Sequence, residues 1–285
     1  MVEIAAKPHG PYSLALSARL SSDATRQFRD GVFTARYADA VAVAWQSPDG
    51  TLTIRSDSVA AAEKLRWVLA LDDDHSEFLR RFRDDPLIGR ATVHLRGLRP
   101  VRTATVAQAL LRAVCGQLID SKTARAHERR IIRASQLREQ VPGTGLLEPP
   151  QTSTLAALAP FELRRLGLNE RRGAALVRLC RSVELERLHD VPTKTVVARI
   201  ERERGLGPWS AGVVCLEGLG RYEHGLVGDL GLVKYLRGAR GRHEIEAWET
   251  AELLEPYGEW AGLASVYLLA GLARGLVPAP AATAA

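Results

Sequence analysis

From about residue 100 onward, apolar positions recur every three to four residues, the spacing of one buried helix face. Within Thr103 to Ile119, the residues Val106, Leu110, Ala113, Val114, Gln117 and Leu118 share a face and predict one helix. A second is predicted from Ser121 to Glu139, with Ser121 as its N-cap. The stretch Val141 to Gln151 holds Pro142, Gly143, Gly145, Pro149 and Pro150, and reads as a loop between helical subdomains. Short helices follow over Thr154 to Ala159 and Pro160 to Leu166, then a longer one after the cap Asn169. Pro192 suits the first turn of another that ends near Gly205. The span Trp260 to Arg274 is apolar nearly all round and belongs at the centre of the core.

The first 90 residues mix periods. Tyr12 to Leu20 alternates partly as a strand does, and Ala38 to Trp45 and Thr51 to Arg55 flank the turn sequence Ser47-Pro48-Asp49-Gly50 of a hairpin. Helical spacing returns over Ser58 to Leu71 and His75 to Phe82. The expected fold is mostly α, with two helical subdomains over residues 91–277. An α+β N-terminal lobe with an antiparallel sheet precedes them over 1–90, and a disordered Ala/Pro tail follows over 278–285. No internal repeat is present.

Composition narrows the function classes. The chain has 285 residues, 46% hydrophobic and 25% charged, ordinary values for a globular protein. No apolar run approaches the ~20 residues that span a bilayer, and the start lacks a charged-then-apolar signal pattern, so a cytoplasmic location is expected. The net charge of +6 suits a polyanionic partner, although arginines also solvate exposed helix faces. Cys115, Cys180 and Cys215 stand far apart without a CxxC pair, which argues against a disulfide framework or a sequence-local zinc site and for small core residues.

Candidate chemistry concentrates in two segments. At Gly205-Leu206-Gly207 one helix ends in a tight turn, and Pro208 opens the next through Trp209-Ser210-Ala211. Free amides at such a start can hold a phosphate oxygen, although a lone Gly-x-Gly is more often a plain helix corner. About twenty residues on, Val227-Gly228-Asp229-Leu230-Gly231-Leu232 sets an acid in an apolar stretch at the start of a predicted helix. Asp229 can be an N-cap, an ionised carboxylate sheltered in a cleft, or both.

The Gly-Pro hairpin with its distal Asp resembles the helix-hairpin-helix (HhH-GPD) DNA glycosylase superfamily. Further stretches resemble its AlkA-type 3-methyladenine DNA glycosylase II branch: Ala113-Val114-Cys115-Gly116-Gln117-Leu118, Arg165-Leu166-Gly167-Leu168 with Arg171-Arg172-Gly173-Ala174, Trp209-Ser210-Ala211, and Trp260-Ala261-Gly262-Leu263-Ala264. Order and spacing match from about residue 84 to 275. The N-terminal lobe matches in size, position and α+β character only.

The resemblance implies a monofunctional DNA glycosylase that flips a damaged, alkylated purine from duplex DNA and leaves an abasic site. Oxidised or deaminated bases, or damaged-DNA binding without chemistry, are the alternatives. Asp229 is then the catalytic carboxylate. Gly205, Leu206, Gly207, Trp209, Ser210, Gln117 and Leu118 meet DNA, and Trp260, Trp209 and Tyr235 line the base pocket. Leu118 is either a wedge in the emptied stack or part of the apolar helix face, and Trp260 either stacks on a cationic base or is plain core. Trp209 stands where strand-cleaving relatives carry a lysine, and Lys234 is the one nearby amine. Two departures are Arg204, where the family often has proline, and Leu230, where some relatives have a second Asp. No cofactor and no iron–sulfur cluster is expected, since no cysteine follows Cys215; an ion bridging the hairpin to phosphate is compatible with the resemblance. The expected partner is double-stranded DNA, bound by a monomer associated with the nucleoid, with no membrane.

Overall fold

The strands belong to the first 56 residues, where β-branched and aromatic positions alternate around tight turns. In the computed structural model, which describes residues 1–136 and 145–279, β1 (Val2–Ala6), β2 (Arg26–Arg29), β3 (Val32–Tyr37), β4 (Ala40–Gln46) and β5 (Leu52–Ser56) form one antiparallel sheet in the order β1-β5-β4-β3-β2. The Ser47–Gly50 turn joins β4 to β5 as the sequence predicts. A short helix α1 (Leu14–Ala18) replaces the strand expected over Tyr12 to Leu20: Ser13 caps it by accepting from the Leu16 amide. Helix α2 (Val59–Val68) packs Ala62, Leu65 and Val68 on Phe33, Ala42 and Ile54 of the sheet.

The rest is helical. Helices α3 (Ser76–Arg81) and α4 (Gly89–His94) lead into α5 (Val106–Gly116), α6 (Ser121–Ser135), α7 (Thr152–Ala156), α8 (Pro160–Arg165), α9 (Glu170–Ser182), α10 (Thr193–Glu201) and α11 (Pro208–Val213). A π-helical turn, Val214–Gly218, continues α11; α12 (Leu230–Arg240), α13 (Ala247–Leu254) and α14 (Ala261–Leu272) complete the chain. The stretch 137–144, which holds the start of the Pro/Gly loop and the predicted end of the second helix, lies outside the described residues, as do residues 280–285 of the tail.

Two helical cores result. One joins α5, α6 and α11 to α7–α10 through Leu110, Val114, Ile131, Leu176, Val196 and Ala211. The other gathers Phe78, Phe82 and Ile88 with Leu232, Leu254, Tyr267 and Leu268, so helices from both sides of residue 90 share it. Helix α14 is central to it, as its all-round apolar sequence predicts. All three cysteines are buried and free; burial pushes the Cys180 and Cys215 thiols up to about 12, as suits inert core residues. Among the described residues, no helix is long and apolar enough to cross a membrane.

A candidate active-site cleft

Between the two helical cores opens a cleft of about 450 Å³, lined by α5, α6, α11 with its π-helical turn, and the start of α12. Its rim is built where α5 stops. Helix α5 ends at Gly116, earlier than the apolar pattern predicts, because Gln117 turns to extended backbone and Leu118 adopts φ +57°. That conformation costs a leucine about 1 kcal/mol, so neighbours must hold it. Gln117 Nε2 donates to the Gly205 carbonyl (3.0 Å) and Ser210 Oγ (2.9 Å), and Arg172 Nη1 donates to the Gln117 carbonyl (2.7 Å). The result leaves Leu118 75% exposed, off the core that its place in the apolar pattern suggests. Asp120, not Ser121, then caps α6, accepting from the Thr123 amide at 3.0 Å.

The hairpin packs against this rim. Gly205 sits at φ +101°, where a side chain would be strained, while Gly207 is extended and faces open space. Leu206 is buried and anchors the turn, so only its backbone is available to a partner. Pro208 occupies the first turn of α11, as predicted. The Gly205 carbonyl accepts from Gln117 and the Gly207 carbonyl from the Ala211 amide, which ties the turn to α5 and to its own helix.

Asp229 stands on the opposite wall. It caps α12, with Oδ1 accepting from the Gly231 amide at 2.7 Å. Its Oδ2 accepts from Trp209 Nε1 at 3.0 Å. The carboxylate is thus held from both sides, by its own helix start and by a side chain of the hairpin helix. Gly116 makes room for that indole: a Cβ there would lie 2.8 Å from Trp209 Cη2. Gly212 does the same for the chain entering Asp229, since its Cβ would meet the Gly225 carbonyl at 2.6 Å. Leu230, 50% exposed, also lines the cleft.

Charged groups line the cleft as well. Glu217, on the π-helical turn, places Oε2 at 2.6 Å from Arg112 Nη1. Arg112 Nη2 also meets Glu128 Oε1 (3.0 Å) and Asp23 Oδ2 (2.5 Å), and Asp23 pairs with Arg26 at 3.0 Å. Burial pushes Asp23 up, but Arg26, Arg112 and hydrogen bonds from Thr25 outweigh it and hold the carboxyl below its ordinary range. Burial likewise disfavours the Arg112 charge, yet Glu128, Glu217 and Asp23 raise its pKa well above the usual value. Composition and spacing do not single out this node; the one signal is Glu217, a lone charge in the apolar run Val213-Val214-Cys215-Leu216.

The structure therefore brings Asp229, Trp209, Gln117, Leu118, Ser210 and Gly207 to one cleft. It does not bring Trp260 or Tyr235 to its lining. Trp260 packs beside Tyr222 (ring centroids 6.4 Å, stacked), Phe78 (5.9 Å) and His75 (6.4 Å), and Tyr235 packs against the same core. Lys234 is exposed and outside the lining. Among the described residues, no group of three or more His, Cys, Asp or Glu is placed to hold a metal.

Known proteins resemble the chain in sequence and in fold. A DNA-3-methyladenine glycosylase of Bacillus subtilis is 26% identical over 204 residues, 70% of this chain and 67% of its own. Over the whole chain the fold matches a 3-methyladenine DNA-glycosylase from Archaeoglobus fulgidus, with TM-score 0.79, 18% identity, and 95% and 98% of the two chains covered. It also matches an 8-oxoguanine glycosylase/lyase from Clostridium acetobutylicum in complex with double-stranded DNA, with TM-score 0.78, 14% identity, and 97% and 99% covered. No protein-family profile matches the chain.

Proposed function

We propose that the chain is a member of the helix-hairpin-helix glycosylase superfamily and a monofunctional DNA glycosylase of base-excision repair, a reading supported by its likeness to a DNA-3-methyladenine glycosylase. It would flip an alkylated purine out of the duplex and hydrolyse its N-glycosidic bond. Asp229 carries the reading: a carboxylate fixed by Gly231 and Trp209 inside a cleft whose rim bears the exposed Leu118.

As the glycosidic bond stretches, positive charge develops on the sugar, and a carboxylate already held in place stabilises it without reorganising. The base leaves with the bonding electron pair, which neutralises a base that alkylation has made cationic. Water adds its oxygen to C1′, and its proton passes to Asp229 and on to solvent, as in carboxylate-assisted sugar hydrolysis. Leu118 fills the gap left in the stack and offsets part of the unstacking cost. The backbone of Gly205–Gly207 and the first turn of α11 approach a phosphate. Trp209 has no amine to attack the sugar, and Lys234 lies outside the cleft lining, so the product is an abasic site in an intact strand.

The test is base release from duplexes that each carry one defined lesion, alkylated, deaminated or oxidised, with half of every reaction treated with alkali. Release of alkylated purine with nicks only after alkali is expected. Nicks without alkali would overturn the monofunctional assignment, and release confined to 8-oxoguanine would overturn the substrate class.

A further inference from the structure

The ionic node behind the cleft is unbalanced. Two guanidiniums, Arg26 and Arg112, face three carboxylates, Asp23, Glu128 and Glu217. Asp23 and Glu128 are sealed, each 2% exposed, and Arg112 is spent on all three acids. Glu217 differs. Its side chain is 27% exposed and lines the same cleft as Asp229, and no hydrogen bond within the described residues reaches its Oε1. The surplus carboxylate of the node therefore faces the cleft through one oxygen, in a lining that also holds the Arg125 guanidinium.

The backbone makes this placement specific. Glu217 sits on a π-helical turn, a local widening that often marks a functional position. Thr103 pins the turn, its amide donating to the Glu217 carbonyl at 2.8 Å. Gly218 lets it approach α5, since a Cβ there would lie 2.8 Å from Ala109 Cβ. An acid in an apolar segment, set on a π-helical turn and oriented by an arginine, thus keeps one solvent-accessible oxygen turned to the cleft.

We propose that Glu217 reads the flipped base, selecting a purine that carries positive charge; this rests on the glycosylase reading above. Arg112 is the positioning residue that aims it. Charge selection acts on the bound base and not on the developing sugar cation, and the base loses its charge as it departs. Glu217 therefore tightens binding of a cationic base without accelerating bond cleavage.

Glu217→Gln keeps the shape and an acceptor for Arg112 and removes the charge. We would measure half-saturation and maximal release rates on duplexes with 7-methylguanine, whose nucleoside is cationic, and hypoxanthine, which is neutral. The expected result is a roughly tenfold higher half-saturation for 7-methylguanine alone, with a maximal rate on that lesion no lower than wild type, an unchanged rate on hypoxanthine, and Tm near wild type. Equal losses on both lesions, or no change on either, would overturn the proposal. Tryptophan quenching by 7-methylguanosine and guanosine at pH 6 provides a readout independent of cleavage. Wild type should prefer the cation and the variant should not. If wild type releases no base yet shows that Glu217-dependent preference, the glycosylase reading fails and the base-reading role stands. If wild type shows no preference, the base-reading role fails.

Discussion

Replacing Asp229 by Asn separates the charge of that carboxylate from its role in the scaffold. Asn caps a helix as well as Asp does, so the Gly231 amide keeps its acceptor. The other side changes: the new NH2 faces Trp209 Nε1–H, donor against donor, where a 3.0 Å hydrogen bond now stands. An unpaired donor in this half-buried place costs about 1–2 kcal/mol, a fall of a few degrees in Tm for a chain of this size. The chemistry should suffer more. A unit charge about 4 Å from a sugar cation is worth about 4 kcal/mol at an effective dielectric of about 20, so base release should slow about a thousandfold. Single-turnover release and thermal unfolding would be followed for Asp229→Asn, Trp209→Phe and the double variant. In the double variant the opposed donors are gone, so Tm should return to that of Trp209→Phe while release stays lost. Release by Asp229→Asn within threefold of wild type would refute the catalytic assignment. Loss of Tm that the second substitution does not recover would refute the geometry given for the Trp209 bond.

Three further outcomes follow from the same geometry. Leu118→Gly should stabilise the protein by about 0.5–1 kcal/mol by relieving φ +57°, yet slow base release about tenfold by removing an apolar wedge; urea unfolding beside a single-turnover assay checks both, and a destabilised variant would show that the leucine is held by packing. Gly116→Ala should push the rigid Trp209 ring, 2.8 Å from the new methyl, off Asp229, lowering release about tenfold or more at near-native DNA affinity; unchanged release would mean that the indole is dispensable. Burial, reinforced by Arg99, lowers His75 to about 4, and neither ring nitrogen has a hydrogen-bond partner among the described residues. The unfolded state thus takes up this proton first, at its ordinary value of 6.5. Stability is full above that pH and is lost toward pH 4, by up to about 3 kcal/mol. His75→Phe should flatten the dependence between pH 6.5 and 4, measured by denaturant unfolding, and an unaltered slope would assign it to other groups.

Local signals in the sequence proved sufficient where one face or one cap decides the element. The β4–β5 hairpin, the all-apolar α14, Asn169 capping α9 and Asp229 capping α12 are all of that kind. Departures occur where tertiary partners override a local pattern. The apolar period runs through Gln117 and Leu118, but hydrogen bonds from Gln117 to Gly205 and Ser210, remote in sequence, pull the chain out of the helix. In the cleft, residue types and spacing marked Asp229 and Trp209 separately, and their hydrogen bond to each other was not legible because it depends on Gly116 leaving room for a ring. Trp260 looks equally eligible as a sequence, yet packs into the aromatic cluster around Tyr222 and Phe78. The Arg112 node draws Asp23, Glu128 and Glu217 from three distant segments, and no local pattern announces it.

That node also bears on how the protein can change. Asp23 and Arg26 come from the edge of the sheet lobe, Glu128 from α6, and Glu217 from the wall of the cleft, all meeting at Arg112. The sheet lobe is thereby wired into the chemistry of the cleft and is not a detachable appendage. Excising it would strip Arg112 of one counter-ion and open a sealed charge to water. A drift of the cleft toward neutral ligands can begin at Glu217, the surplus acid of the node, whereas a single change at Arg112 or at sealed Asp23 or Glu128 upsets the pairing of buried charges in the seam between the lobes. Compensated changes at Arg112 and its two sealed acids must arrive together, so the contacts that join the lobes are slow to evolve and call for concerted redesign, while the wall of the cleft they support stays free to vary.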